Sequence, residues 1–160
     1  MSPRALTIGV IGAGDAQGSV LELAFEVGRE LALNKAILIC GGLGGVMEAA
    51  ARGARASGGL TIGILPTYRT DSANPFIEFP IATGMGEARN AIIVASSQAI
   101  IALEGEGGTL AEIGYALKLG RPVVALKAWE NIMNLQRADT PDAAVKLALK
   151  LAGGGHKSAK

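Results

Sequence analysis

Ala5-Leu-Thr-Ile-Gly-Val-Ile-Gly-Ala-Gly-Asp-Ala-Gln-Gly-Ser-Val-Leu-Glu22 decides how the rest of the chain is read. A continuous apolar run over residues 5–11 enters a glycine-rich turn, and the turn enters a helical pattern over 20–33. The same alternation recurs down the chain. Apolar runs at 36–40, 60–65, 77–81, 99–103 and 122–126 read as strands. Helical patterns fall at 46–57, 87–96, 110–119 and 142–151. The strands are apolar throughout rather than alternating, which indicates burial on both faces. Strand–helix alternation of this kind predicts an α/β fold, a parallel sheet covered by helices on both sides.

Helix boundaries carry their own signals. Ser19-Val-Leu-Glu22 and Thr109-Leu-Ala-Glu112 match the capping-box pattern, in which a hydroxyl and a glutamate bond reciprocally to helix N–H groups. Thr140-Pro141-Asp142 offers a cap, a proline at the first helical position and an acid in the first turn. Gly120 stands where a left-handed C-terminal cap belongs.

Composition narrows the function. The chain has 160 residues, 49% hydrophobic and 18% charged, with a net charge of +1. That size and balance predict one domain over 1–152, with 153–160 as a disordered tail. The charge excludes a strongly basic nucleic-acid footprint and gives no sign of electrostatic membrane binding. No apolar run reaches the roughly 18 residues of a membrane span, and the first strand runs into glycine rather than a cleavage site. Cys40 is the only cysteine, so no disulfide forms within the chain and a cytoplasmic location is expected. His156 is the only histidine and lies in the tail, so neither a serine triad nor a histidine metal site is expected.

Three glycine-rich turns follow strands: Gly12-Ala-Gly14-Asp-Ala-Gln-Gly18, Gly41-Gly42-Leu-Gly-Gly45 and Glu104-Gly-Glu-Gly107-Gly108-Thr109. Each alone is ordinary turn chemistry. Together at one sheet edge they bring several helix N-termini to one crevice, whose free N–H groups favour an anion. Gly12, Gly14, Gly41, Gly42, Gly45, Gly107, Gly108, Thr109 and Leu110 are therefore the candidate phosphate-binding residues. The polar segment 66–75 follows the third strand and reads either as a surface loop or as a loop over the site.

Gly41-Gly42-x-x-Gly45-x-Met47, Gly63-Ile-Leu-Pro66 and Gly107-Gly108-Thr109-x-x-Glu112 resemble the LOG (Lonely Guy) superfamily over roughly residues 5–127. Its members have often carried the label "possible lysine decarboxylase". Ala82-Thr-Gly-Met-Gly-Glu-Ala-Arg-Asn-Ala-Ile-Ile-Val94 resembles a branch of short bacterial and archaeal proteins that is also similar to the molybdenum-cofactor carrier protein. The resemblance implies a Rossmann-like doubly wound sheet, a homodimer or higher homo-oligomer assembled through the helices at 87–96 and 110–119, and no required cofactor. It leaves open a nucleoside 5′-monophosphate phosphoribohydrolase or a carrier of the pterin molybdenum cofactor. It also implies Arg89 and Glu112 as catalytic residues.

Cleaving an N-glycosidic bond builds positive charge on the ribose. A carboxylate must meet that charge or activate water, and a cation must steady the phosphate or departing base. Glu112 and Arg89 fit those parts, although Glu112 also fits as a capping residue and Arg89 as a solvated helix arginine. Tyr68 and Trp129 read as base-stacking side chains or as loop packing, and Cys40 as a small buried hydrophobe. The hydrolase pattern P-G-G-x-G-T-x-x-E falls on residues 104–112 with Glu104 in place of the proline and Glu106 in place of the second glycine. A carboxylate about 6 Å from a phosphate charge costs about 0.7 kcal/mol in water and about 3 at an effective dielectric near 20. These acids weaken the hydrolase expectation and suit the amino groups of a pterin or purine. Lysine decarboxylation has no support, because none of the three glycine turns contains a lysine.

Overall fold

The computed structural model describes residues 2–154. Among these residues seven strands form one sheet: β1 (Thr7–Ile11), β2 (Ile37–Cys40), β3 (Thr61–Leu65), β4 (Phe79–Ala82), β5 (Ala99–Ala102), β6 (Val123–Leu126) and β7 (Gln136–Ala138). Their order across the sheet is β4-β3-β2-β1-β5-β6-β7, and every neighbouring pair is parallel. This is a doubly wound Rossmann-like sheet. The chain reverses direction of travel between β1 and β5, the switch point where such sheets bind ligands.

Among the described residues five α-helices cover the sheet: α1 (Ser19–Leu33), α2 (Val46–Ala56), α3 (Asn90–Ala95), α4 (Gly107–Lys118) and α5 (Pro141–Gly153). Each sheet face has its own core. On one, Ile8, Val10, Leu38, Ile101 and Val124 pack against α1, α2 and α5. On the other, Ile11, Ile39, Ile64 and Ile100 pack against Ile93 and Val94 of α3 and Ile113 and Ala116 of α4. None of the helices among the described residues is long and apolar enough to cross a membrane.

The structure corrects several expectations. Neither capping box forms. The cap of α1 is Gly18, at φ 67°, and that of α4 is Glu106, and neither makes a side-chain cap bond. Backbone geometry places each helix start ahead of the hydroxyl that matched the pattern, so Ser19 and Thr109 lie inside their helices. By contrast, the Thr140 hydroxyl accepts from the Ala143 N–H with Pro141 following it, as expected. Gly120, at φ 69°, ends α4 with its N–H on Leu117 and that of Arg121 on Ala116, a paired left-handed cap. The segment expected as a helix over 87–96 opens as a 3₁₀ turn, Gly86–Arg89, before α3. A helix end often tightens in this way. α5 runs on through Gly153, past the start expected for the tail. Residues 155–160, His156 among them, lie outside the described residues.

Candidate functional site

The three glycine turns meet at the carboxyl edge beside the switch point and enclose a cleft of about 240 Å³. The β1 turn contributes Gly12, Gly14 and Asp15, and the β2 turn contributes Gly41. Gly12 is required by packing, because a Cβ there would lie 2.7 Å from Val46. The two turns are stitched together by the Val46 N–H on the Ala13 carbonyl at 3.0 Å. Gly45, at φ 60°, sits against that same carbonyl, where a Cβ would approach to 2.2 Å. Gly42, at φ 76°, turns away under Leu65. Gly42 and Gly45 shape the turn and do not line the cleft.

The third side is the start of α4. Leu110 donates its N–H to the Glu106 carbonyl at 2.9 Å, so it is withdrawn from the expected anion cradle. Helix geometry leaves the N–H groups of Gly107, Gly108 and Thr109 without an intrahelical acceptor. A Cβ on Gly107 or Gly108 would meet nothing within 4 Å, so the backbone there is open to an incoming group. Thr109, 4% exposed, folds back against Gly105, and it borders the cleft together with Gly108. Glu106 also borders the cleft, whereas Glu104 lines only an adjoining hollow that shares Asp15 and Glu106.

Arg89 is 5% exposed, which corrects the solvated alternative. Its Nε donates to the Ile64 carbonyl at 2.8 Å, and Nη2 reaches the Gly41 carbonyl at 3.5 Å. Nη1 donates to the Asn90 side chain and lies 3.8 Å from Glu87. One guanidinium thus ties the ends of β2 and β3 to the start of α3. Glu112 is 8% exposed on the facing helix. Among the described residues it has no hydrogen-bond or ion-pair partner, and it lies well inside α4, which removes the capping alternative. Burial pushes its carboxyl up to about 7. The Arg89 charge opposes that rise and the Glu87 charge adds to it.

The remaining expectations resolve as packing. Cys40 is buried, and burial pushes its thiol up to about 12, with the sulfur 3.9 Å from the Met47 carbonyl. The Trp129 indole packs on the second core and donates to the Leu103 carbonyl at 2.8 Å. Tyr68 is exposed and covers Gly84. Neither ring lines the cleft. The 66–75 segment braces the second glycine turn, through the Asn74 N–H on Gly42 and the Asn74 amide on Leu43 at 2.8 Å. The sequence reading missed Glu87 and Asn90 as cleft residues. They flank Arg89 in the quoted stretch, which was the available signal.

The model of the SLOG cluster4 family matches residues 5–150. The chain belongs to that family. Three relatives of named function are similar to this SLOG cluster4 chain over most of its length. A cytokinin riboside 5′-monophosphate phosphoribohydrolase of Mycobacterium tuberculosis is 35% identical over 135 residues, covering 78% of this chain and 71% of the relative. The structure of a molybdenum cofactor binding protein from Rippkaea orientalis is 37% identical, with a TM-score of 0.87 over 94% of this chain and 99% of that one. The molybdenum cofactor carrier protein of Chlamydomonas reinhardtii is 34% identical, with a TM-score of 0.84 over 91% and 98%. The LOG-type superfamily read from the glycine motifs, and its carrier-like branch, therefore hold for this SLOG cluster4 chain.

Proposed function

We propose that the chain binds a phosphorylated heterocyclic ligand of the pterin or nucleotide class in this cleft and holds it without cleaving it. The observation that carries this reading is the charge of the wall. Four carboxyl groups, Asp15, Glu87, Glu106 and Glu112, line the cleft with a single guanidinium, Arg89, three of whose five N–H donors are spent on Ile64, Asn90 and Gly41. The phosphate would sit on the free N–H groups of Gly107, Gly108 and Thr109, where the helix dipole favours an anion. Ionised carboxylates accept hydrogen bonds and cannot donate them, so they suit the amino groups of a heterocycle, and Glu112 joins them once it gives up its proton. Glu106, which stands where the hydrolase pattern has glycine, caps α4 beside that seat and places a negative charge next to the phosphate, so binding there depends on the N–H groups and on the heterocycle's contacts. The carrier-like relatives are similar over nearly their whole length, which supports the same choice.

Hydrolysis is the second reading, favoured by Glu112. A buried carboxyl held near the operating pH is what acid–base catalysis uses, and Arg89 stands beside it. The relative named as a phosphoribohydrolase supports that alternative.

Thr109→Val tests the phosphate seat. The substitution keeps the shape and removes the hydroxyl. Because Thr109 is not a cap, the melting temperature should hold to within the equivalent of about 0.5 kcal/mol. Calorimetry with adenosine monophosphate should show affinity falling about tenfold, the usual worth of a hydrogen bond to a charged group. Unchanged affinity would remove Thr109 from the site.

Assembly follows the same reading. Leu110, Tyr115, Leu117 and Leu119 stay partly exposed along and just beyond α4. A second copy of the chain packed on α3 and α4 would cover them. Light scattering at micromolar concentration should return a dimeric or larger mass, and a monomeric mass would contradict this assembly.

A further inference from the structure

The segment between β6 and β7 holds the most irregular backbone in the described chain. Lys127, Trp129 and Asn134 all adopt left-handed conformations, at φ 50°, 61° and 66°. Residues with side chains adopt this region at a cost, and it persists only where surrounding structure enforces it. Here the enforcing group is Arg137 on β7. Its guanidinium donates to four carbonyls of that segment: Ala128 at 3.3 Å, Trp129 at 2.8 Å, Glu130 at 3.0 Å and Ile132 at 2.9 Å. An exposed arginine that closes a loop on itself in this way fixes the loop's shape.

The shape has one consequence outside the loop. It turns the Trp129 ring onto the second core and aims the indole N–H at the Leu103 carbonyl, 26 residues away in sequence. Leu103 is the residue that leaves β5 for the Glu104–Thr109 turn. Its own N–H is bound to the Ile11 carbonyl at 2.9 Å, and the next carbonyl, that of Glu104, accepts from Ala13 at 2.9 Å. The root of the turn is thus pinned on one side by β1 and on the other by Trp129.

We propose that Trp129, held in place by Arg137, is a positioning residue that fixes the β5–α4 turn and the open N–H groups at the start of α4. Its consequence for binding rests on the phosphate-seat reading above. Its effect on the turn does not. Phenylalanine at 129 would fill most of the same volume and lose only the indole donor. Lysine at 137 would keep charge and length but cannot bridge four carbonyls.

The test is residue-resolved amide exchange on the full chain, with adenosine monophosphate titration as the second readout. The diagnostic amides are Ala13, bonded to Glu104, and Leu110, bonded to Glu106. In Trp129→Phe and in Arg137→Lys their exchange should rise about tenfold, while Ile8 and Leu38 on the central strands hold their rates. Affinity for adenosine monophosphate should fall about fivefold in both variants. Val145→Ala, on the opposite face, should lower the melting temperature without a selective change at Ala13 or Leu110. Unchanged exchange at both diagnostic amides overturns the proposal. So does a uniform rise that includes Ile8 and Leu38. Selective exchange with unaltered affinity supports Trp129 as the residue that holds the turn and overturns the phosphate-seat reading. If the unmodified protein binds no adenosine monophosphate, the phosphate-seat reading fails, and the exchange pattern alone still decides whether Trp129 holds the turn.

Discussion

Raising the pH from 5 to 8 should destabilise the ligand-free protein, and Glu112→Gln should abolish most of that loss. The unfolded carboxyl titrates near 4.5, and the folded one is pushed up to about 7, chiefly by burial against the partial relief of Arg89. Between those values the folded state holds a proton that the unfolded state has released. Stability therefore falls with rising pH across that window. Below 4.5 the carboxyl is neutral in both states and carries no penalty. Above about 7 the full cost of a buried, unpartnered carboxylate is present. The gap corresponds to about 3 kcal/mol, or about 10 °C in melting temperature for a chain of this size. Glutamine keeps the shape and has no charge to bury. Urea unfolding at the two pH values should give a steep difference for the parent chain and a nearly flat one for Glu112→Gln, which becomes the more stable protein at pH 8. Equal pH dependence in both would mean that Glu112 ionises freely and that its pocket is wet. The same physics bears on function: a ligand amino group placed against Glu112 would hold it ionised, so binding at pH 7 would release protons.

Gly28→Ala and Gly53→Ala should each cost about 3 kcal/mol or more, and together should prevent folding. The expectation from propensity alone has the opposite sign, since alanine in a helix interior is better than glycine by roughly 0.5–1 kcal/mol. Here α1 and α2 cross at backbone contact. A Cβ on Gly28 would lie 1.8 Å from the Ala50 carbonyl oxygen, and one on Gly53 would lie 1.9 Å from that of Phe25. Backbone atoms cannot swing aside as a side-chain tip can, so the helices must part. They would then open the core formed by Ala24, Val27, Ala50 and Ala54. Gly114→Ala in α4, where a Cβ meets nothing within 4 Å, provides the contrast and should stabilise by about 0.5 kcal/mol. Thermal melts that rank all three alike would show that packing between α1 and α2 is looser than described.

The two-faced burial of β1, β2, β3, β5 and β6 made the sheet legible, because only strands covered on both sides run apolar without alternation. β7 escaped the reading. Gln136-Arg137-Ala138 is short and polar, and it is a strand because β6 and the Arg137 guanidinium hold it, neither of which is a local signal. The capping pattern was matched at α1 and α4 but not used, since it records residue types and not where the backbone first turns helical. At the site, the convergence of three glycine turns was readable, but the division of labour among glycines was not. Gly42 and Gly45 serve positive φ and close packing, Gly107 and Gly108 leave backbone open, and all four look alike as letters. Arg89 reads either as the cation the resemblance implies or as a solvated helix arginine, and nothing local decides between them. Its burial follows from the carbonyls of Gly41 and Ile64, which arrive from strands distant in sequence.

Native mass spectrometry during incubation with adenosine and guanosine monophosphates, and with a phosphorylated pterin, separates a protein that holds its ligand from one that cleaves it. A one-to-one adduct whose ligand keeps its full mass throughout the incubation is the expected result. The adduct should be strongest for the pterin and weakened by Thr109→Val. Decay of the nucleotide adducts to free base and ribose 5-phosphate, at the roughly one per second or faster of ordinary enzymes, would contradict it. Loss of that turnover in both Glu112→Gln and Arg89→Ala would then identify the cleft as the active site of a hydrolase.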